Sequence, residues 1–278
     1  MGDLQKPKIS SYWMGDSLSF IEQLCLKSFV DLGHKTILYS YEEISNAPDG
    51  VENRDARMIL PEAEYLDFKG KEKPAPAVFS DKFRVHLMLK TDAIWVDCDI
   101  YAVKEFEPLE YILPLEFSFQ LSNAVLRLPK NSLALQNYAN FLETPFPDFP
   151  ENWTSQSHVM EEVNRVQNST NPTHILDLKY YHWGPFALTY FTKQTGEFKK
   201  SMPCNRFFPI PGFKTQQVLR PYEKMPHKIP IDGWAIHLYS SLLKRKLRAR
   251  VPDGNLPKHS YLNSLCKKHG VDPKDAPV

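Results

Sequence analysis

Cysteine is scarce in this chain of 278 residues, and both long apolar runs and an excess of charge of either sign are missing. The four cysteines, Cys25, Cys98, Cys204 and Cys266, show no paired spacing. Paired cysteines mark disulfide frameworks and zinc sites, so we expect four reduced thiols. Because no signal-peptide pattern is visible either, we expect the protein to be cytoplasmic.

No apolar stretch approaches the roughly 18 residues that indicate a transmembrane helix, so we expect no membrane span. The formal net charge of +1 argues against general nucleic-acid binding, which needs a basic surface. Hydrophobic residues make up 42% of the chain and aromatic residues 13%, enough for the core of one large domain or two small ones. The composition is that of an ordinary globular protein.

The first forty residues predict a β-strand, an α-helix and a second β-strand. Residues 8–15 read as a strand that ends in a turn. Ser19 and Glu22 have the spacing of a capping box, and the apolar stripe that follows ends at Gly33, a residue suited to a helix C-cap. With a further strand at 35–40, this βαβ unit favours a parallel sheet.

The rest of the chain continues the α/β pattern without an internal repeat. The predicted strands are 57–60, 93–96, 117–128, 207–210 and 234–238. The predicted helices are 81–90, with Ser80 as its N-cap, 133–142, 158–166, and one that begins at Gly184-Pro185. We therefore expect an α/β fold around a parallel sheet.

Two aspartates directly follow the apolar segment 93–96. Asp97 and Asp99 stand where a buried strand reaches its carboxyl end, the edge at which open α/β sheets bind ligands. If the backbone stays extended, side chains at i and i+2 point the same way, and two carboxylates can hold Mg²⁺ or Mn²⁺ while leaving sites for phosphate oxygens. The alternative is that both aspartates only form the turn that ends the strand.

Four further residues have both a functional and a structural interpretation. Asp81 and Arg84 share one face of a predicted helix and suit the hydroxyls of a sugar, but such pairs are usually surface ion pairs. Trp13, close to Gly15, is either a core residue or a platform for a flat ligand. His237 lies in an apolar segment and is either a hydrogen-bonded core histidine or a ligand.

Five segments, in this order, resemble the glycosyltransferase family with a D-x-D sugar-binding region. That family includes initiating α-mannosyltransferases and is related to the glucosylating domains of clostridial toxins. The segments are Tyr12-Trp13-Met14-Gly15, Ser80-Asp81-Lys82-Phe83-Arg84, Ile94-Trp95-Val96-Asp97-Cys98-Asp99, Gly184-Pro185-Phe186-Ala187-Leu188-Thr189 and Ala235-Ile236-His237-Leu238-Tyr239. Their order and spacing make the resemblance more specific than the D-x-D triplet alone.

The resemblance implies a GT-A fold, with a Rossmann-like nucleotide-binding sheet and an acceptor-binding region in the later half of the chain. We expect the glycosyltransferase domain at 1–240 and a basic extension, packed on or beside it, at 241–278. The residues implied for donor binding are Trp13, Asp81, Arg84, Trp95, Asp97, Asn123, Gly184 and Pro185. The residues implied for catalysis are Asp81, Arg84, Asp97 and Asp99. The residues implied for binding Mn²⁺ or Mg²⁺ are Asp97, Asp99 and His237.

The activity implied is metal-dependent transfer of a hexose, with retention of anomeric configuration, from a nucleotide sugar to a glycan or glycolipid. Such transfers build cell-surface polysaccharides. By analogy, UDP-galactose or UDP-glucose is favoured over GDP-mannose as the donor. No clear nucleophile stands out for the opposite face of the sugar, where Asp177 and Asn123 are the weak candidates.

Two segments bear on the acceptor. Residues 144–153 hold three prolines among several aromatics, and this loop either covers a sugar acceptor or packs its own aromatic side chains. Residues 242–250 are basic and partly amphipathic, and they either hold the enzyme at the inner face of an anionic membrane or form a solvated helix end.

Two other functions stay open. Phosphatases of the haloacid dehalogenase type also place Asp-x-Asp after an apolar strand, with the first aspartate as nucleophile. They have Thr or Val where this chain has Tyr101, and their strand lies near the start of the chain. The other function is a catalytically inactive, glycan-binding protein of the same fold, against which the presence of all four implied catalytic residues argues.

Overall fold

The computed structural model describes residues 6–69, 76–169, 174, 182–251 and 253–278. Its strands are β1 (Ile9–Tyr12), β2 (Thr36–Ser40), β3 (Val51–Asp55), β4 (Ile94–Val96), β5 (Ile100–Ala102), β6 (Leu115–Phe117), β7 (Gln120–Leu121), β8 (Val125–Leu126) and β9 (Ala235–His237). Its α-helices are α1 (Phe20–Asp31), α2 (Glu62–Lys69), α3 (Pro76–Lys90), α4 (Leu133–Glu143), α5 (Ser157–Gln167), α6 (Ala187–Gln194), α7 (Ser240–Arg250) and α8 (Tyr261–Lys268).

The predicted βαβ opening is confirmed. β1 pairs in parallel with β2 on one side and with β4 on the other, and β2 pairs in parallel with β3. The resulting order β3-β2-β1-β4 places β1 in the interior, where its four residues are all buried. The predicted fold class, α/β with a Rossmann-like parallel sheet, is therefore confirmed.

The chain folds into two compact units. Unit 1 comprises Met1–Ala56, Ala93–Leu109 and Pro203–Val278, and unit 2 comprises Arg57–Asp92 and Glu110–Met202. Unit 1 holds the parallel sheet, the antiparallel pair of β5 and β9, and helices α1, α7 and α8. Leu243, Leu247 and Leu262 pack into the same hydrophobic cluster as the apolar face of α1. The predicted domain boundary after residue 240 stays a prediction.

Several predicted elements of unit 2 differ from the structure. Residues 56–58 form a 3₁₀ turn, so the strand predicted at 57–60 is wrong. The helix that carries Asp81 starts at Pro76, so Ser80 lies inside the helix and is not its N-cap. Proline is favoured in the first turn of a helix because the amide hydrogen that it lacks has no partner there. The single strand predicted at 117–128 is wrong: this range holds the last residue of β6 and the whole of β7 and β8.

Two predictions for later parts of the chain also differ from the structure. Residues 207–210 are not a strand, because the amides of Phe207 and Phe208 both donate to the Cys204 carbonyl and close a turn. Pro185 lies in a π-helical turn, His182–Phe186, and the α-helix starts after it at Ala187. A wide turn accommodates a proline that offers no hydrogen-bond donor.

The capping box of α1 is confirmed, and its glutamate has a second role. The Glu22 carboxylate accepts from the Ser19 backbone amide at 3.0 Å and from the Ser19 hydroxyl at 2.6 Å. Glu22 is completely buried, and the Lys244 ammonium lies 2.8 Å from its carboxylate. The two residues are 222 positions apart. A lysine of the basic segment 242–250 therefore neutralises a buried charge and is not part of a purely solvated face.

We predict that Lys244→Met destabilises the protein by roughly 3 kcal/mol, because it leaves the Glu22 carboxylate buried without its counter-charge. The matched control is Lys246→Met, in the same helix at an exposed position, for which we expect a change below about 0.5 kcal/mol. Urea denaturation of both variants measures the difference in free energy of unfolding. Equal stability of the two variants would contradict the assigned ion pair.

Candidate functional site

The segment after β4 is a tight turn. The Ile100 amide donates to the Asp97 carbonyl at 3.0 Å, which closes the chain between β4 and β5. The expectation that Asp97 and Asp99 point the same way from an extended backbone is therefore wrong, since a turn does not keep the two-residue alternation of a strand. Each carboxylate has its own set of partners in unit 1.

Asp97 is oriented by the strand that precedes it. The indole nitrogen of Trp95 donates to Oδ1 of Asp97 at 2.8 Å, and Trp95 itself is 1% exposed. The end of the strand is fixed in turn by Ser11, whose hydroxyl donates to the Val96 carbonyl at 2.8 Å. Its burial and this contact make Trp95 a support for Asp97, and its implied role in donor binding stays a prediction.

Asp99 contacts a strand and a helix from the C-terminal part of unit 1. Its Oδ1 lies 3.2 Å from Nε2 of His237, and its Oδ2 accepts from the Ser240 amide at 2.7 Å. Burial alone would raise the pKa of Asp99, but His237 and the Ser240 amide outweigh it and hold the pKa well below its ordinary value. Asp99 thus stays ionised at the N-terminus of α7, where the helix dipole also favours an anion.

The His237 ring is covered by Tyr239. The two rings stack at 3.8 Å with 19° between their planes. Among the non-glycine residues that the structure describes, Tyr239 alone has a positive φ, 48°. Gly212 allows this arrangement, because a Cβ there would lie 3.1 Å from the Tyr239 ring. Tyr239 was missed as a site residue, and its left-handed backbone at the site is strain of the kind that functional sites hold.

The three residues implied for binding a cation fit one chemically. Carboxylate oxygens and an imidazole nitrogen are suitable donors for Mn²⁺, and Asp99 and His237 lie side by side. In the described part of the chain, however, no three side chains of His, Cys, Asp or Glu are grouped so that they could hold a metal ion. The metal assignment stays a prediction.

Trp13 is half-buried at the end of β1. Its indole nitrogen donates to the Ser17 carbonyl at 2.9 Å, and the Lys244 ammonium lies 5.6 Å from the centre of the ring. Gly15 has a φ of 127°, a conformation that side chains rarely adopt. Trp13 is therefore neither fully in the core nor open on all sides, and its role in stacking on a nucleobase stays a prediction.

The Asp81 and Arg84 pair belongs to unit 2 and is buried. Asp81 is 5% exposed and Arg84 is 3% exposed, and Nη2 of Arg84 lies 3.2 Å from Oδ1 of Asp81. The amide of Asn123 donates to the same Oδ1 at 2.7 Å, while Nη1 of Arg84 donates to the Asn123 carbonyl. The alternative of a surface ion pair is wrong. Asn123, only a weak candidate from the sequence, is an integral member of this cluster.

Backbone from the Gly184-Pro185 turn lies against the same cluster. A Cβ on Gly184 would meet the Asn123 amide at 2.5 Å and the Asp81 carboxylate at 2.7 Å, so only glycine fits there. Ser80, within α3, accepts from Nε of Arg84 through its carbonyl at 3.1 Å and from Nη2 through its hydroxyl at 2.9 Å. The motif residues of unit 2 thus assemble into one buried polar cluster. Asp177 lies outside the described residues.

The proline-rich loop packs its own aromatic side chains. Phe149 and Trp153 are 4% and 2% exposed, and their rings meet edge to face at 5.0 Å. Phe146, in the same loop, is 55% exposed.

In the described ranges we find no helix with the length and apolarity needed to cross a bilayer. All four cysteines are free thiols, as expected.

No protein-family model matches the chain, and no curated protein does. One similar solved structure is described as PaToxG glycosyltransferase, with a TM-score of 0.44 and 14% sequence identity over 97% of this chain and 87% of that chain. Another is a transferase with two cysteines mutated to serine, with a TM-score of 0.36 and 12% identity over 64% of this chain and 90% of that chain. Neither similarity identifies the function of this chain.

Proposed function

We propose that the chain is a glycosyltransferase that moves a hexose from a nucleotide-sugar donor to a glycan or glycolipid acceptor. The observation that carries the proposal is the contact of Asp99 with His237 just beyond the carboxyl end of β4, in the turn that begins at Asp97. This is the edge where parallel α/β sheets bind nucleotides. The D-x-D motif and the later His237 segment, which are far apart in the sequence, meet there in one place.

In this proposal, Asp97, Asp99 and His237 would hold Mn²⁺ or Mg²⁺. The cation would neutralise the negative charge on the diphosphate that leaves the sugar. The protein's own part is to hold the ligands in position: Trp95 donates to Asp97, the Ser240 amide donates to Asp99, and Tyr239 limits the movement of the His237 ring. Such preorganised groups lose little energy to reorganisation during the reaction.

The donor is proposed to be UDP-galactose or UDP-glucose, with GDP-mannose as the second candidate, and transfer is proposed to retain the anomeric configuration. Trp13 is the proposed platform for the base. Asp81 and Arg84 are proposed to act on the donor sugar, and their mutual contacts in the buried cluster would fix their orientation. The assignments of Trp13 to the base and of Asp81 and Arg84 to the sugar both rest on the order in which these motifs occur along the chain.

We predict that one nucleotide family, uridine or guanosine, raises the melting temperature only when Mn²⁺ is present. Binding to the native state at about a hundred times Kd adds about 2.7 kcal/mol to stability, which corresponds to a shift of several degrees for a domain of this size. A thermal-shift panel of UDP, GDP and their hexoses, each with and without Mn²⁺, measures the effect. Equal shifts with and without the metal would contradict metal-dependent donor binding.

We predict that Asp97→Asn lowers the rate of nucleotide-sugar hydrolysis or transfer by about 100-fold or more, since a carboxylate near the reacting phosphate is lost. The fold should stay intact, because the asparagine oxygen can still accept from Trp95. The matched control is Asp49→Asn, an exposed aspartate of the same unit, which should keep full activity. Turnover is measured with radiolabelled donor, and unchanged turnover in Asp97→Asn would refute its assignment.

The same measurements separate the alternative functions. A phosphatase of the haloacid dehalogenase type would release phosphate from simple phosphate esters and would not need a nucleotide. An inactive glycan-binding protein would show no donor hydrolysis with any nucleotide sugar. Either result would exclude the proposed transferase.

A further inference from the structure

Unit 2 contains a cavity of about 220 Å³ that none of the implied donor residues lines. Cavities for drug-sized ligands are about 300–1,000 Å³, so this one has the size for a single small ring. It lies among β7, α6 and residues 152–155, which end the proline-rich loop and lead towards α5. All of these segments belong to the same unit.

Part of the cavity wall is aromatic. Phe119, Trp153 and Tyr190 line it, and the rings of Trp153 and Tyr190 lie 5.1 Å apart. Phe119 is 42% exposed, although aromatic side chains are usually withdrawn from water. Phe117, itself 53% exposed, stacks on it at 5.9 Å with 15° between the ring planes. Aromatic faces of this kind can contact the C–H groups on the face of a sugar ring.

The rest of the wall carries uncharged hydrogen-bonding groups. Asn152, Ser155 and Gln194 line the cavity, and their side chains make no hydrogen bond to any residue that the structure describes. The Tyr190 hydroxyl has none within the same described set either. Gln120 is held in place by Gln156, whose amide donates to it at 2.8 Å. The cavity therefore offers amides and hydroxyls around an aromatic surface.

The charge of the lining does not match the diphosphate of a donor. The lining within the described residues contains no carboxylate, and its charged residue is Lys193. That ammonium donates to the Phe119 carbonyl at 3.0 Å and lies 5.0 Å from the centre of the Phe198 ring. One lysine without a metal ligand beside it compensates only part of the charge of a diphosphate.

We propose that this cavity binds an uncharged sugar residue, and that this residue belongs to the acceptor. The role as an acceptor site rests on the transferase function proposed above, whereas the binding of a neutral sugar does not. The sugar's C–H face packs on Phe119 and Tyr190, and its hydroxyls bond to Asn152, Ser155 and Gln194. Trp153 supports the wall, with its indole nitrogen 3.2 Å from His182 Nδ1.

The test is binding of methyl glycosides of glucose, galactose and N-acetylglucosamine to the full chain without donor or metal, measured by saturation-transfer difference NMR. UDP, also without metal, serves as the anionic competitor. We expect the neutral glycosides to bind and UDP to displace none of them, because one lysine without a metal compensates only part of the charge of a diphosphate. No binding of any neutral glycoside, or displacement of the bound glycosides by UDP, would overturn the proposal.

Two variants locate the binding site. Phe119→Ser should weaken the binding of the neutral glycosides by about tenfold, and Tyr190→Phe, which removes only a hydroxyl, by about threefold. The matched control is Phe213→Ser, an exposed aromatic residue of unit 1 that should bind as the wild type does. Unchanged affinity in both cavity variants would overturn the proposal. Because Tyr190→Phe keeps the aromatic ring, its result counts even if Phe119→Ser folds poorly.

The wild-type chain also separates the two proposals. Sugar binding at the cavity without any donor hydrolysis would refute the transferase function and leave the binding site supported. Donor hydrolysis without binding of any neutral glycoside would refute the cavity assignment and leave the transferase function supported.

Discussion

Asp99 and His237 meet because two β-strands from distant parts of the chain pair with each other. β5 and β9 are antiparallel, Ile100 stands opposite His237, and the Leu238 amide donates to the Asp99 carbonyl at 2.9 Å. The side-chain contact between Asp99 and His237 is therefore set by backbone pairing. A carboxylate that is largely withdrawn from water is costly unless it is paired, and here an imidazole and the first amide of α7 compensate that of Asp99. The proposed site depends on this arrangement.

A second constraint joins the start and the end of unit 1. The capping box of α1 ends in a carboxylate that is completely buried, and Lys244 from α7 neutralises it. The same ammonium lies over the Trp13 ring. Displacement of α7 would thus expose an unpaired charge and uncover Trp13, as well as remove the Ser240 amide from Asp99. Stability and the geometry of the site are linked through one helix.

The predictions that proved correct concern features that residues close together in the sequence determine. The βαβ opening, the capping box at Ser19 and Glu22, and the helices near 133–142 and 158–166 are confirmed, because caps and apolar periodicity act within a few residues. The positions of the D-x-D motif and of the His237 strand are also confirmed as a strand end and a strand. The start of α3 was missed, because Pro76 lies upstream of Ser80 and either residue can begin a helix.

What the sequence did not predict depends on contacts between residues far apart in the chain. A turn follows Asp97 where an extended backbone was expected, and nothing in the triplet distinguishes the two conformations. The burial of Asp81 and Arg84 follows from Asn123 and from the absence of a side chain on Gly184. Tyr239 and Gly212 form a matched pair that neither segment reveals by itself.

The central claim is that the corner of Asp97, Asp99 and His237 is a cation site that serves a nucleotide sugar. The most direct test is an anomalous difference map at the manganese absorption edge, from crystals soaked with Mn²⁺ and UDP or GDP. The account predicts a single strong peak within bonding distance of the Asp99 carboxylate and the His237 imidazole, with diphosphate density beside it. A map with no peak at this corner, or with nucleotide bound elsewhere, would contradict the account.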